Sequence, residues 1–287
     1  MPHFITDDNV RIYYEETGSG FPVIFAHEFG DNYQTWEPQI CHFARRYRCV
    51  TYAARGYPPS DVPEDIGKYA VPRLAADIGG LMDHLGFAQV HLVGLSMGSF
   101  AVLNFTLANP ERVRSLVLGS CGSGVTTDPE QQKARLAAVE ARARGYEELG
   151  SEVMADRMAN LAVRQSFKAK DPRGWAAFRE RLKTHSADGC ARTLRGSFFN
   201  RPSVYDQAAQ LRACKVPTLL MFGDDDGPAI EPSHFIRAQM PCSGLMVFPR
   251  SGHNLNIEEP LAFNRALDDF FAAAEHGRWA CAVASPE

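Results

Sequence analysis

Two periodicities of hydrophobic and polar residues alternate along most of this chain. Short continuous apolar runs are typical of strands covered on both faces. Between these runs, apolar residues recur every three or four positions, as they do on the buried face of a helix. We therefore predict strands at 10–15, 22–26, 49–53, 90–93, 113–118, 217–222 and 245–248, and helices at 36–47, 71–85, 100–109, 233–240 and from 258 onward.

The order of these elements predicts an α/β fold in which helices flank a mostly parallel central sheet. The alternation stops between residues 125 and 203, where only helical patterns occur. This insertion leaves the sheet at the carboxyl end of a strand, where α/β proteins bind ligands. We therefore interpret it as a cap over a site rather than as a packing appendage. The predicted division is a core domain of residues 1–124 and 204–287 with an all-helical cap at 125–203.

One predicted strand runs directly into Gly94-Leu95-Ser96-Met97-Gly98, and a helix-compatible segment follows. A sharp turn of this kind strains the serine backbone and exposes its hydroxyl above the edge of the sheet. The flanking glycines are required because the turn leaves no room for a Cβ atom. The pattern indicates a nucleophile at Ser96, and the helix that begins at Met97 directs the positive end of its dipole at an oxyanion.

A serine nucleophile needs a neighbouring base, and the base needs an acid that orients it. His253 follows the last predicted strand, and Asp226 follows the strand before it. Because the carboxyl ends of parallel strands meet at one edge of a sheet, both side chains are expected near Ser96. Asp224 and Asp225 directly precede Asp226 and are the alternative candidates for the acid.

Three motifs resemble the α/β-hydrolase fold superfamily, and the resemblance covers essentially the whole chain except the cap. They are the serine turn, the Gly-x-x-Asp of residues 223–226, and the Ser-Gly-His of residues 251–253 followed by Glu258-Glu259-Pro260. The resemblance implies a cofactor-free serine hydrolase. In it Ser96 is the nucleophile, His253 is the general base and then the general acid, and Asp226 orients His253.

The oxyanion hole is expected from two backbone N–H groups, those of Met97 and Phe29. The second follows from the resemblance of His27-Glu28-Phe29-Gly30 to the superfamily's usual His-Gly-x. Glu28 departs from that pattern, and two interpretations stay open. Glu28 points to solvent or pairs with an arginine such as Arg55, or it adds a carboxylate near the pocket that selects against anionic substrates.

Aromatic residues of the predicted cap and loops suggest an apolar pocket of limited size for the acyl or alcohol part of a substrate. Besides Glu28 and Phe29, the candidates for its lining are Tyr33, Trp36, Trp175, Phe198 and Phe199.

Charge and composition exclude several classes of partner. The net charge of −4 is small and evenly spread, which argues against nucleic acid and against an anionic membrane. No apolar run approaches the ~20 residues of a membrane span. The N-terminus lacks a basic segment followed by an apolar one, so we expect no secretory signal and a cytoplasmic location. The expected partner is a small-molecule substrate, bound by a monomer or a homodimer.

The seven cysteines include no Cys-x-x-Cys pair. In a cytoplasmic chain this predicts reduced, mostly buried thiols rather than a disulfide framework or a zinc site. No pair of histidines has the spacing of a metal site, so neither a metal nor a cofactor is expected.

The function predicted from the sequence is hydrolysis of a small carboxylic ester, lactone, thioester or amide through an acyl-enzyme. A C–C bond hydrolase, or a cofactor-free oxygenase or perhydrolase that uses the same three side chains, is the alternative among enzymes. The alternative of another class is a ligand receptor derived from a hydrolase. Leu95 and the segment Glu28-Phe29-Gly30 depart from the asparagine and the Pro-Gly-rich segment of C–C hydrolases.

Overall fold

The computed structural model describes residues 2–122 and 128–281. Its strands are β1 (His3–Ile5), β2 (Arg11–Thr17), β3 (Phe21–Ala26), β4 (Tyr47–Tyr52), β5 (Val90–Leu95), β6 (Val113–Gly119), β7 (Thr218–Gly223) and β8 (Ser243–Phe248). They form one sheet in the order β1-β2-β4-β3-β5-β6-β7-β8. The pairs β1–β2 and β2–β4 are antiparallel, and each other pair of neighbours is parallel. This confirms the predicted α/β class with a mostly parallel sheet.

Helices cover both faces of the sheet and build the insertion. The α-helices are α1 (Glu37–Phe43), α2 (Val71–His84), α3 (Met97–Ala108), α4 (Pro129–Ala159), α5 (Gln165–Lys170), α6 (Pro172–Lys183), α7 (Ala187–Thr193), α8 (Ala208–Ala213), α9 (Gly227–Gln239), α10 (Leu255–Glu258) and α11 (Pro260–Glu275). Short 3-10 helices span Tyr33–Trp36, Ile66–Tyr69, Pro110–Arg112, Ala162–Arg164 and Tyr205–Gln207, and a π-helical turn spans Leu194–Phe198.

The largest differences from the predicted elements have simple physical causes. Strand β1 has only three residues, which is too short for a period of two to be recognised. Helix α9 begins at Gly227 instead of 233 because prolines concealed its start. Pro228 occupies the first turn, where proline is tolerated, and Pro232 lies inside the helix.

The apolar core forms two clusters on opposite faces of the sheet. Along β3, Ile24 belongs to one cluster, and Val23 and Phe25 belong to the other, as the alternation of side chains in a strand requires. The first cluster also contains cap residues such as Tyr146 and Phe178. The cap is therefore packed into the same apolar interior as the helices that flank the sheet.

The insertion is helical, as predicted, and comprises α4 to α7 with the π-helical turn. Asp128 begins α4 by accepting hydrogen bonds from the N–H groups of Glu130 and Gln131. Gly150, at φ 75° and ψ 172°, interrupts that helix. The predicted start of the cap at residue 125 lies outside the described residues, and the boundaries of the cap stay a prediction.

One cysteine pair departs from the prediction of reduced thiols. A disulfide joins Cys242 to Cys281, so the C-terminal segment is tied to the start of β8. Of the remaining cysteines, Cys41 is an exposed free thiol, and Cys49, Cys121, Cys190 and Cys214 are buried free thiols. In the part of the chain that the structure describes, no helix is both long and apolar enough to cross a membrane.

Candidate active site

Ser96 occupies the sharp turn between β5 and α3. Its backbone, at φ 52° and ψ −108°, lies in a region that non-glycine residues rarely adopt. A Cβ atom at Gly98 would collide with the carbonyl oxygen of Ala26, and one at Gly94 would collide with the first turn of α3. Both glycines are therefore required by close backbone contacts, which hold the strained serine in place.

Asp226 and His253 meet beside this turn. Asp226 ends the loop after β7 at the first turn of α9, and its Oδ2 lies 2.8 Å from Nδ1 of His253. Asp226 is fully buried, whereas Asp224 and Asp225 are exposed. Of the three candidate acids, Asp226 is the one that contacts the imidazole.

The loop that carries His253 is fixed from two sides. The backbone N–H of His253 donates to the carbonyl of Val163 in the cap at 2.9 Å. Its carbonyl accepts a hydrogen bond from the hydroxyl of Ser120, at the end of β6, at 3.1 Å. The position of the imidazole therefore depends on both the sheet and the cap.

The charges around His253 favour its protonated form. Burial lowers the pKa of His253, but the attraction to Asp226, the hydrogen bond with Asp226 and the attraction to Glu28 together raise it more. Arg164 offsets part of this effect by repulsion. The net result is a pKa above the ordinary value of 6.5.

Glu28 lies in a buried network of hydrogen bonds between the loop after β3, the cap and the loop of His253. Its Oε2 accepts from Nη2 of Arg164 at 2.6 Å, and its Oε1 accepts from Nδ2 of Asn254 at 2.5 Å. Arg164 also donates from Nε to Oδ1 of Asn254 at 2.9 Å. The same Oε2 is 3.8 Å from Nε2 of His253. Glu28 is 1% exposed, so the interpretation that it points to solvent is wrong.

Arg55 is not the partner of Glu28. Its guanidinium donates to Asp77 at 2.8 and 2.5 Å and to Asp8 at 2.8 and 3.0 Å. The arginine that pairs with Glu28 comes from the cap, more than a hundred residues further along the chain.

The shape of the loop after β3 bears on the expected oxyanion hole. The N–H of Ala54 donates to Nε2 of His27 at 3.0 Å, so the ring proton sits on Nδ1, which donates to the carbonyl of Glu28 at 2.7 Å. Burial lowers the pKa of His27 to about 4 and keeps the ring neutral. Since the C=O and N–H of a trans peptide point in opposite directions, the N–H of Phe29 is turned away from His27.

A cavity of about 250 Å³ joins these groups. Ser96, His253 and Asp226 line it together with Glu28 and Phe29. The side chains that complete its wall come from the loops at the carboxyl edge of the sheet and from the cap: Ser120, Arg142, Met158, Leu161, Val163, Arg164, Phe198, Arg201, Pro228 and Ala229.

Residues 22–260 match the family model for the alpha/beta hydrolase fold. The chain belongs to the α/β-hydrolase fold family. It is 27% identical over 247 residues to 3-oxoadipate enol-lactonase 2 of Acinetobacter baylyi, and the aligned region covers 86% of each chain. It is 30% identical over 279 residues to 2-hydroxy-6-oxo-6-phenylhexa-2,4-dienoate hydrolase of Burkholderia cepacia, which covers 92% of each.

Solved structures of this family share the fold. A thermophilic esterase from Thermogutta terrifontis superimposes with a TM-score of 0.83 at 24% identity, over 95% of this chain and 97% of the other. Together with the family match, these similarities identify the protein as a hydrolase of the α/β-hydrolase fold.

The structure places the candidate pocket residues in different surroundings. Glu28, Phe29 and Phe198 line the cavity, and the other four candidates do not. Tyr33 packs against Tyr13 at 5.2 Å between ring centres, and Trp36 is buried in the core on the opposite face of the sheet. Trp175 donates its indole N–H to the carbonyl of Ala159, and Phe199 is 39% exposed. Aromatic character alone therefore did not identify the lining.

Sequence reasoning missed the arginines of the site. Arg142 and Arg164 lie on cap segments, and Arg201 follows the π-helical turn. No local motif marks them among the many arginines of the insertion, because their role depends on how the cap folds onto the sheet. The departure at Glu28 was the one available signal, since a carboxylate in that loop requires a cationic partner when it is buried.

Proposed function

We propose that this α/β hydrolase cleaves a small carboxylic ester or lactone through an acyl-enzyme. The observation that carries the proposal is the 2.8 Å contact between Asp226 Oδ2 and His253 Nδ1, in a cavity that Ser96 also lines. Nucleophilic catalysis by serine requires this combination of hydroxyl, imidazole and carboxylate.

In the proposed reaction, Ser96 Oγ attacks the carbonyl carbon and His253 Nε2 takes the hydroxyl proton. The N–H groups of Met97 and Phe29 hold the oxyanion, and Asp226 stabilises the imidazolium. His253 then protonates the leaving alcohol as the C–O bond breaks. A water molecule, deprotonated by His253, attacks the acyl-enzyme and releases the acid, which regenerates Ser96.

The cavity supports a substrate of limited size. At about 250 Å³ it lies at or below the lower end of the ~300–1,000 Å³ found for small-molecule sites. Apolar side chains such as Phe29, Met158 and Leu161 line one part of it and suit a short hydrocarbon chain. The similarity to an enol-lactonase supports a lactone alongside an open ester. Thioesters and amides use the same chemistry and remain within the proposal.

Hydrolysis of a C–C bond is the second candidate, because a relative that is 30% identical over 279 residues carries the name of a dienoate hydrolase. Two positions favour the ester, because at both of them the sequence departs from the pattern of C–C hydrolases. Leu95 precedes the serine, and Glu28 occupies the loop after β3. Comparison of a p-nitrophenyl ester with a vinylogous 1,5-diketone as substrates separates the two, since only one of them has an ester bond.

The proposal is tested by labelling with a fluorophosphonate and mapping the adduct by mass spectrometry. We expect the adduct on Ser96 and expect Ser96→Ala to lower ester turnover by several orders of magnitude. Ser99→Ala is the matched control. Ser99 lies one turn further along α3, and its hydroxyl donates to the carbonyl of Gly119 at 2.7 Å. Ser99 is therefore a nearby serine whose hydroxyl is bound to the backbone. Retained turnover in purified Ser96→Ala would contradict the assignment.

We also propose a cytoplasmic location, which the disulfide between Cys242 and Cys281 makes testable. Disulfides are rare in reducing compartments. Counting free thiols in protein trapped directly from cells decides the matter: seven reduced cysteines support the cytoplasm, and five argue for an oxidising compartment.

A further inference from the structure

We propose that Arg201 and Arg142 form a subsite that binds a carboxylate of the substrate, so that the ester or lactone cleaved at Ser96 carries an acid group. The inference rests on the proposed function and specifies its substrate class. It reverses the charge preference that the sequence interpretation of Glu28 had offered.

Arg201 is held in the cavity wall by two aromatic rings. Its guanidinium carbon lies 4.8 Å from the ring centre of Phe100 and 5.2 Å from that of Phe198. Phe100 follows Ser96 by one turn of α3, and Arg201 lines the same cavity as Ser96. Its Nε is buried and has no hydrogen-bond partner among the described residues. Burial lowers the pKa of Arg201 to about 10, so the group still carries its positive charge at neutral pH.

Arg142 lines the same cavity from α4. Like Arg201, it forms no ion pair with a carboxylate within residues 2–122 and 128–281. Residues 123–127 contain no acidic side chain that could supply one. Burial also lowers the pKa of Arg142. A third cation, Arg135, lies near Arg201 and donates to the carbonyl of Phe198 at 3.1 Å.

Three other arginines that are buried or partly buried are paired with carboxylates, which distinguishes them from Arg142 and Arg201. Arg55 binds Asp8 and Asp77, Arg164 binds Glu28, and Arg181 binds Asp31. Placing a guanidinium out of water is costly unless an anion and hydrogen bonds compensate. Carboxylates of the protein are the anions that pair with Arg55, Arg164 and Arg181. Arg142 and Arg201 face the cavity without such a partner, so a bound ligand can supply the anion.

The charge of the cavity wall agrees with an anionic ligand. Its ionisable side chains, His253 apart, are three arginines and two carboxylates. Glu28 is paired with Arg164, and Asp226 is paired with His253. The charges that remain unpaired, those of Arg142 and Arg201, are both positive. The planar fork of a guanidinium matches a carboxylate in geometry. A cavity of about 250 Å³ limits the ligand to a short chain between the acid group and the reacting carbonyl.

Mono-p-nitrophenyl glutarate and its methyl ester test the subsite, because they share the same p-nitrophenyl ester while the second compound replaces the negative charge with a neutral methyl ester. We expect the wild-type enzyme to prefer the acid by at least about 10-fold in kcat/KM. Arg201→Gln should reduce the ratio of the two kcat/KM values by about 10- to 100-fold, and Arg142→Gln should reduce it in the same direction. Using the ratio cancels any loss of folded enzyme. Arg144→Gln is the matched control, because Arg144 lies on α4 with its side chain 66% exposed. An unchanged ratio in Arg201→Gln would overturn the proposal.

Binding without turnover separates this inference from the proposed function. We expect glutarate to raise the melting temperature of Ser96→Ala more than sodium chloride of equal ionic strength does, and expect Arg201→Gln in that background to abolish the difference. Equal shifts with glutarate and chloride would overturn the subsite. If the wild type hydrolyses neither ester while glutarate still gives a shift that depends on Arg201, the subsite stands and the proposed esterase function fails.

Discussion

Glu28 Oε2 lies 2.6 Å from Arg164 Nη2, in an ion pair that joins the loop after β3 to the cap. Both side chains are almost completely buried, and the same carboxylate oxygen is 3.8 Å from Nε2 of His253. One carboxylate therefore binds the cap and changes the charge around the imidazole. These two effects can be measured separately.

Replacement of Glu28 by Gln should shift the pH dependence of activity. His253 acts as a base only when it is neutral, so kcat/KM falls below the pKa of the imidazole, which lies above 6.5 in the wild type. The Glu28 charge raises the pKa of His253, and Arg164 lowers it. Loss of the Glu28 charge therefore lowers that pKa. We expect the acidic limb of the kcat/KM profile to move to lower pH in Glu28→Gln.

The control for this shift is Glu231→Gln, which removes an exposed carboxylate on α9 and should leave the profile in place. The measurement is kcat/KM from pH 5 to 9 with a neutral ester, so that the charge of the substrate does not change. A limb that stays where it is, or moves to higher pH, would contradict the electrostatic role of Glu28.

Removal of Arg164 tests the structural half of the network. Arg164→Met leaves the buried carboxylate of Glu28 without its cation, which should cost about 3–5 kcal/mol in the free energy of unfolding. Glu28→Gln in the same chain removes the unpaired charge and should recover part of the loss. Urea denaturation of the two single variants and the double variant forms a double-mutant cycle.

The exposed pair of Arg11 and Asp61 supplies the comparison, since Arg11→Met should have a much smaller effect on unfolding. Additive single losses in the cycle would mean that Glu28 and Arg164 do not stabilise one another.

Much of the fold could be predicted because the parallel strands are buried on both faces. Runs such as that of β7 are almost continuously apolar, and their spacing defines strand and helix without any knowledge of contacts. Elements with a weaker local signal were lost or shifted. The three residues of β1 depend on pairing with β2, and α9 contains Pro228 in its first turn and Pro232 further along. Strand pairing is a tertiary contact that the sequence does not show, and proline usually indicates a break in a helix, which explains these two errors.

The candidate site divides in the same way. Ser96, Asp226 and His253 could be recognised because each lies at the carboxyl end of a strand, where the order along the chain already determines the neighbourhood. The partners of Glu28 could not be predicted, because Arg164 contacts Glu28 only after the cap has folded over the sheet. Trp36 was misplaced for a related reason: its aromatic character fits a core as well as a pocket.

Asp226→Asn should lower kcat by about 10⁴-fold if Asp226 holds the imidazole in the correct tautomer. The amide of asparagine can donate to Nδ1, so the ring proton moves to Nε2, which can then no longer accept the proton of Ser96. Asp225→Asn is the matched control, because Asp225 is exposed one residue away. Single-turnover kinetics with a p-nitrophenyl ester measure the effect. A comparable loss in Asp225→Asn would transfer the role to the neighbouring carboxylate.

Gly98→Ala tests whether the strained serine turn depends on close backbone packing. The added Cβ would collide with the carbonyl oxygen of Ala26 and would lie 2.8 Å from that of His27, in the loop that carries Phe29. Backbone atoms cannot move aside as a side chain can, so we expect a loss of about 1–3 kcal/mol in unfolding free energy and a lower kcat. Gly227→Ala is the control: its Cβ meets open space, and helix α9 should gain up to about 1 kcal/mol. Thermal unfolding of both variants makes the comparison. Equal stability would show that the turn tolerates a side chain at residue 98 and that its strain is maintained by other contacts.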